Sequence, residues 1–212
     1  MTALTRFIVI RHGETEWNVA ARIQGHGDSA LTAEGVAQAR ALARRLATQP
    51  FDLLVASDLG RALDTARHVA VACGHEPRLD ARFRERNFGA GEGMTYEEID
   101  RAYPDAFSRV REVDPDYVIP GGESRSQFHE RVRSGFEALA AEHSGKTIVV
   151  VTHGGVLATF YRHVNGIALR TPHRIPITNA SYNELEFDGE RWTIGAWSDT
   201  AHLEGAEPFE EA

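Results

Sequence analysis

Apolar positions along this chain follow two signatures. Some form short uninterrupted runs that end abruptly in polar residues and glycine; others recur every three or four residues over longer stretches. Phe7-Ile8-Val9-Ile10 belongs to the first kind and predicts a short buried strand. The second kind follows: Thr32 has the chemistry of an N-cap, Leu31 and Val36 are spaced as a hydrophobic staple, and Val36, Ala39, Leu42, Ala43 and Leu46 share one helical face. Arg40, Arg44 and Arg45 fall outward, and Pro50 stops the helix. Residues 51–56 predict a second strand, completing a β-α-β unit whose crossover is right-handed by default. Ser57 and Asp58 are candidate caps for a helix over 59–73, which Gly74 terminates.

From residue 78 to 122 the pattern weakens. The charged, glycine-rich stretch 82–93 predicts a loop outside the core, and a short helix is expected over 95–102 before Pro104, Pro115 and Pro120 interrupt the chain. A long amphipathic helix carrying Phe128, Val132, Phe136 and Leu139 ends by Gly145. Residues 147–152 are the most strand-like run, and their unbroken apolarity suits a central parallel strand. A helix over 156–164 and two alternating strands, 181–187 and 192–197, joined at Asp188-Gly189 as an edge hairpin, complete the pattern. Strands alternating with helices give an α/β fold.

A chain of 212 residues with 42% hydrophobic content fills one ordinary domain, expected over residues 1–203, with 204–212 an acidic solvated tail. Its net charge of -8 argues against a general nucleic-acid or anionic-membrane surface, so any anionic ligand must meet a local cluster of cations. The single cysteine, Cys73, excludes an internal disulfide and reads as a small buried side chain on a helix. A strand begins within a few residues of the first and no apolar run has membrane-spanning length, so the expectation is a soluble cytoplasmic protein.

The chemistry concentrates where strands end. Arg11-His12-Gly13 follows the first strand and His153-Gly154-Gly155 follows the central one, while Arg61 falls in the first turn of the helix after the second strand. In open α/β sheets ligands collect beyond the carboxyl ends of the strands, so these residues share one edge and suit an anion. Gly13 is expected to let the backbone approach a ligand or adopt a positive φ.

As a set, Arg11-His12-Gly13, Asn18, Arg61 within Ser-Asp-Leu-Gly-Arg-Ala-Leu-Asp-Thr-Ala, Glu85, and Thr152-His153-Gly154-Gly155 resemble the histidine phosphatase superfamily, the phosphoglycerate-mutase-like enzymes, from about Arg6 to Leu203. The resemblance implies a single-domain three-layer fold, a mixed, mainly parallel sheet flanked by helices. It also implies that His12 becomes a phosphohistidine intermediate, that Glu85 is the proton donor, and that Asn18, Gln24, Gly25 and Gly154 lie where the family touches phosphate or substrate. The residue types fit that chemistry: Arg11 and Arg61 offer permanently charged planar forks for phosphate oxygens, and His153, if protonated, adds a charge-assisted donor. His12 needs the opposite state, a free lone pair aimed at phosphorus, with its other ring nitrogen donating to a backbone carbonyl. No cofactor and no metal are expected, because the cations neutralise the phosphate. His68, His75, His129, His143 and His163 read as surface residues, and His26 is ambiguous.

Two reactions share this machinery, because a phosphohistidine passes its group either to water or to another hydroxyl of a bound phosphoglycerate. The family's cofactor-dependent mutases carry an insertion with adjacent arginines after the acid loop, a tyrosine where Phe88 stands and a lysine where Gly60 stands. Here Arg101, Arg109 and Arg111 are not adjacent and no insertion is evident. Glu85-Arg86 resembles the mutase loop, and Gly91 stands where many phosphatases have tryptophan. The expectation is a phosphatase acting on small phosphorylated metabolites, with phosphoglycerate mutase as the alternative; a non-catalytic phospho-ligand binder would not need both His12 and Glu85. Residues 96–120 are expected to form part of a lid that sets substrate choice.

Overall fold

A computed structural model of the chain describes residues 3–104, 114–172 and 175–204. Its strands are β1 (Thr5–Arg11), β2 (Leu53–Ala56), β3 (Arg78–Leu79), β4 (Thr147–Thr152), β5 (Tyr182–Phe187) and β6 (Trp192–Ile194), and they form one sheet in the order β3-β2-β4-β1-β5-β6. The first four strands of that order run parallel; β5 lies antiparallel to β1, and β6 antiparallel to β5. The α-helices are α1 (Glu16–Val19), α2 (Ala33–Leu46), α3 (Gly60–Cys73), α4 (Tyr96–Ala102), α5 (Arg125–Glu142) and α6 (Gly154–Val164).

Period-two alternation along β1 divides the core between the two faces of the sheet. Phe7 and Val9 join Phe83, Phe136, Leu139 and Phe160 on the face covered by α5 and α6, whereas Ile8 and Ile10 join Leu42, Leu46, Leu54 and Val69 on the face covered by α2 and α3. Phe136 is the hub of the first layer, edge-on to Phe7 at 5.7 Å and to Phe83 at 5.0 Å. Fully burying a phenylalanine contributes about 1.5–3 kcal/mol, so Phe83 alone ties its segment firmly to the sheet.

That placement corrects one expectation. The stretch 82–93 is a loop with 3-10 turns at Ala81–Phe83 and Gly89–Gly91, yet it is not outside the core, because Phe83 is completely buried. Ser57 and Asp58 do not cap α3 either: its N-cap is Leu59, without a side-chain cap bond. Asp58 instead pairs with Arg84 at 2.5 Å, and Arg84 holds that carboxyl below its usual range. Arg45, expected outward, is partly covered: it reaches Asp199 at 2.7 Å and lies 3.8 Å over the Tyr182 ring. The second strand starts two residues late, leaving Phe51 to stack on His75 at 4.2 Å. Cys73 closes α3 half-buried rather than buried. Thr32 caps α2, and Gly74 ends α3 in the left-handed region at φ 69°.

Among the described residues no helix is long and apolar enough to cross a membrane. The acidic tail beyond Glu204, with Arg109 and Arg111 of the expected lid, lies outside the described residues.

Candidate active site

Parallel register makes the site. Arg11 pairs with Thr152 across β1 and β4, so the next residue of each strand, His12 and His153, emerges side by side at the carboxyl edge. Their rings stand 5.3 Å apart and both are buried. β2 is the other neighbour of β4, and the helix following it brings Arg61, 1% exposed, to the same edge.

Each of these side chains is fixed by hydrogen bonds to backbone or side-chain groups. His12 Nδ1 lies 2.7 Å from the Gly13 carbonyl, so this nitrogen carries the proton and Nε2 keeps its lone pair, as the sequence reading expected. Arg11 donates from Nη1 to the Ile177 carbonyl at 2.7 Å. Arg61 donates to the carbonyls of Gly25 and Gly27, each at 2.8 Å, and to Asp28 at 3.1 Å. His153 Nε2 lies 2.8 Å from the Ser57 hydroxyl, which gives Ser57 its actual role.

Gly13 has a different function from the one expected. A Cβ there would lie 2.5 Å from the Gly35 carbonyl oxygen, so the missing side chain admits the first turn of α2 rather than a ligand. The Gly13 N–H donates to Thr65 at 3.0 Å, tying the His12 loop to α3.

Glu85 is held between two segments. Its Oε1 accepts from the Arg86 N–H at 2.8 Å and its Oε2 from the Gly155 N–H at 2.9 Å, beside the first turn of α6. Its backbone carbonyl accepts from Arg131 at 3.1 Å and contacts His26 Nε2 at 3.0 Å.

Asn18 lines the cavity, but its Oδ1 is committed to the loop: it accepts from the Thr15 N–H at 3.1 Å and from Asn179 at 3.1 Å. Gln24 is buried with Oε1 unpartnered, and Gly25, at φ 55°, turns the loop so that its carbonyl meets Arg61. Arg11, His12, Asn18, Gln24, Gly25, Arg61, Glu85 and Gly154 all line one cavity of about 490 Å³; His153 is not among the lining residues but packs against His12, which is.

Sequence reasoning missed Glu92. Its Oε1 accepts from the His26 N–H at 2.8 Å and the Phe88 N–H at 3.0 Å, and its Oε2 from the Gly27 N–H at 2.8 Å. One carboxylate therefore joins the loop that supports Arg61 to the loop that carries Glu85. The Gly-Glu-Gly context marks a turn but gives no local sign of this bridge.

Electrostatics separates the roles. Burial first, then Arg61 and Arg11, push His12 well below the usual imidazole range, while the Gly13 bond opposes them. Burial, Arg61, His12 and Arg11 do the same to His153. Both shifts favour the neutral rings, so the protonation on which the donor role of His153 was made conditional is disfavoured before an anion arrives. Burial also draws the Arg11 and Arg61 guanidinium groups down, with Glu85 opposing it. Among the described residues four buried side-chain polar atoms have no protein partner: Arg11 Nε, Gln24 Oε1, Arg61 Nε and His153 Nδ1. All four belong to this one site. Three are suited to donate, which defines a cradle for an anion. Among the described residues no group of three or more His, Cys, Asp or Glu side chains could hold a metal ion.

The sequence profile of the histidine phosphatase superfamily (branch 1) matches residues 7–200. The chain is 39% identical over 201 residues to phosphoglycerate mutase-like protein 4 of Arabidopsis thaliana, covering 93% of this chain and 86% of that one. It is 36% identical to the metal-independent phosphoserine phosphatase of the same plant, covering 94% and 84% respectively. Among solved structures, the mycobacterial glucosyl-3-phosphoglycerate phosphatase in complex with VO3 superimposes with a TM-score of 0.80 at 33% identity, over 92% of this chain and 99% of that one.

Proposed function

The chain belongs to the histidine phosphatase superfamily, and we propose that it hydrolyses small phosphate monoesters through a phosphohistidine on His12, with Glu85 as proton donor. The observation that carries this reading is the cradle of orphaned polar atoms around a neutral His12 whose tautomer leaves Nε2 free.

A phosphate monoester resists nucleophiles because its oxygens carry close to two negative charges. Arg11 and Arg61 neutralise that charge, and the arriving dianion favours protonation of His153, which then donates from Nδ1. His12 Nε2 attacks phosphorus in line as the P–O ester bond breaks, and the Glu85 carboxyl delivers its proton to the leaving alkoxide. Water then attacks the phosphohistidine with Glu85 taking its proton, the P–N bond breaks, and inorganic phosphate leaves. Asn18, Gln24, Gly25 and Gly154 shape the substrate side, no metal or other cofactor takes part, and the substrate is a small phosphorylated metabolite. Residues 1–203 act as one unit, and the acidic tail plays no part in the chemistry.

The relatives carry both phosphatase and mutase-like names, and Glu85-Arg86 keeps the mutase reading alive as the alternative. The test is intact-protein mass after brief mixing with a chromogenic aryl phosphate, at a pH that preserves phosphohistidine, with His12→Ala alongside. One added phosphoryl group on the wild type and none on the variant is expected. Full turnover by His12→Ala would overturn the mechanism. A parallel assay of phosphate release against 3-phosphoglycerate isomerisation separates the two reactions; isomerisation with negligible hydrolysis would make the enzyme a mutase.

A further inference from the structure

The segment from Ile177 to Ala180 lies in no regular element, yet it touches three residues of the His12 cavity. Ile177 lines that cavity and offers its carbonyl to Arg11 at 2.7 Å. The Ala180 N–H donates to the His12 carbonyl at 3.1 Å. Ala180 is completely buried at φ 53°, a conformation that residues other than glycine rarely adopt. Between these two stands Asn179. Its Nδ2 reaches two oxygens, the His12 carbonyl and Asn18 Oδ1, each at 3.1 Å.

These partners settle which way both amides point. A primary amide has one oxygen that accepts and one nitrogen that donates twice. The Asn18 atom beside the Thr15 N–H has to accept, and the Thr15 hydroxyl donates to the same atom at 3.1 Å. Asn179 faces two acceptors, so the group it presents is its NH2, with both hydrogens committed. Thr15 and Asn18 belong to one turn and move together, whereas Asn179 reaches Asn18 across 161 positions of sequence and His12 across 167. Among the described residues it is the donor that ties the Asn18 side chain to His12. With Oδ1 turned to the loop, the NH2 is the end of Asn18 left for the cavity it lines, and among the described residues that NH2 makes no hydrogen bond.

We propose that Asn179 is a positioning residue of this site: it locks the Asn18 carboxamide with its NH2 toward the bound anion and, by holding the His12 carbonyl through the same nitrogen, sets that donor in register with His12. The inference rests on the phosphatase reading for the identity of the anion, but the positioning of the donor is testable without turnover. A carboxylate in place of the Asn179 amide inverts the arrangement. It has no proton to give, so it meets Asn18 Oδ1 and the His12 carbonyl as acceptor against acceptor, and it draws the Asn18 NH2 away from the cavity. The His12 carbonyl still keeps its second donor, the Ala180 N–H, so the larger effect falls on Asn18.

The experiment is a double-mutant cycle read by calorimetric titration with tungstate, an unreactive tetrahedral dianion. Asn179→Asp is made in the wild type and in an Asn18→Ala background. Repulsion between the new carboxylate and the anion acts in both backgrounds and cancels from the comparison. The affinity lost with Asn18 in place is expected to exceed that lost in the Asn18→Ala background by about tenfold, the scale of one hydrogen bond to a charged group. Asn179→Leu, uncharged and of similar size, withdraws the donors without reversing them and should show the same coupling at smaller size. A merely structural Asn179 would cost the same affinity whether or not residue 18 is asparagine. Equal losses in the two backgrounds for Asn179→Asp, or for Asn179→Leu where the aspartate variant does not fold, would overturn the proposal. Phenyl phosphate turnover by the wild type, measured in parallel, isolates the other question: its absence alongside intact coupling would refute the phosphatase reading and leave a positioned anion site.

Discussion

The backbone N–H of Gly155 donates to Glu85 Oε2 at 2.9 Å, and a Cβ on Gly155 would overlap the Glu85 carboxylate. The glycine therefore does two things at once: it supplies a hydrogen bond that aims the Glu85 carboxylate and leaves the space that carboxylate occupies. Gly155→Ala should displace the Glu85 side chain rather than unfold the protein, because the obstacle is the far end of a flexible chain. Turnover of alkyl phosphates should fall about 10²–10⁴-fold, the usual worth of a positioned acid. Aryl phosphates, whose leaving groups need less protonation, should lose much less. Glu85→Gln should reproduce that contrast, and equal losses on both substrate classes in either variant would count against Glu85 as proton donor.

Glu92 makes a second kind of prediction, because it touches no cavity residue's reacting atom yet fixes three backbone N–H groups. Glu92→Ala leaves the His26, Gly27 and Phe88 donors unpaired, at about 1–3 kcal/mol for each that stays buried. The loop carrying the Gly25 and Gly27 carbonyls then loosens its hold on Arg61. A lower melting temperature with a KM raised more than kcat is lowered for phenyl phosphate is expected. Unchanged steady-state constants in a destabilised variant would reduce Glu92 to a structural tie.

In the proposed mechanism guanidinium and imidazole groups would neutralise the phosphate charge. Dialysis against a strong chelator should accordingly leave phenyl phosphate turnover within error of the untreated enzyme, and added divalent cations should not raise it. Loss on chelation with recovery on metal return would show that an ion takes part.

How far the sequence foretold this site depends on which contacts are local. Strand ends are local features, so Arg11, His12, Arg61 and His153 could be placed on one edge from periodicity, and the family resemblance supplied Glu85. Bridges between distant loops are not local. Glu92 reaches across 66 positions to His26 and 65 to Gly27, and no period in the chain encodes that pairing. Ser57 read as a cap because short hydroxyl residues before helices usually are, but tertiary contact with His153 claimed its side chain. Phe83 sat in a charged, glycine-rich stretch whose average hid one fully buried ring.

The two buried imidazoles make the fold itself sensitive to acid. In the unfolded chain His12 and His153 titrate near 6.5, whereas burial together with Arg61 and Arg11 holds both well below that value in the folded protein. A depressed folded-state pKa contributes stability that is fully present above the unfolded value and is lost as pH falls toward the folded one. Below about 6.5 the unfolded chain takes up two protons that the folded protein refuses, so unfolding becomes easier by up to about 2.7 kcal/mol per pH unit from this pair. Urea midpoints measured between pH 7.5 and 5 should fall steeply for the wild type. Other histidines with lowered values, among them His68, His129, His163 and His202, contribute to the same trend and stay in place in a His12→Gln, His153→Gln double variant. The difference between the two pH profiles therefore isolates His12 and His153. A shallower profile for the double variant is expected; parallel profiles would mean that the two rings are protonated as readily in the folded protein as in the unfolded chain, and a neutral His12 nucleophile would lose its physical basis.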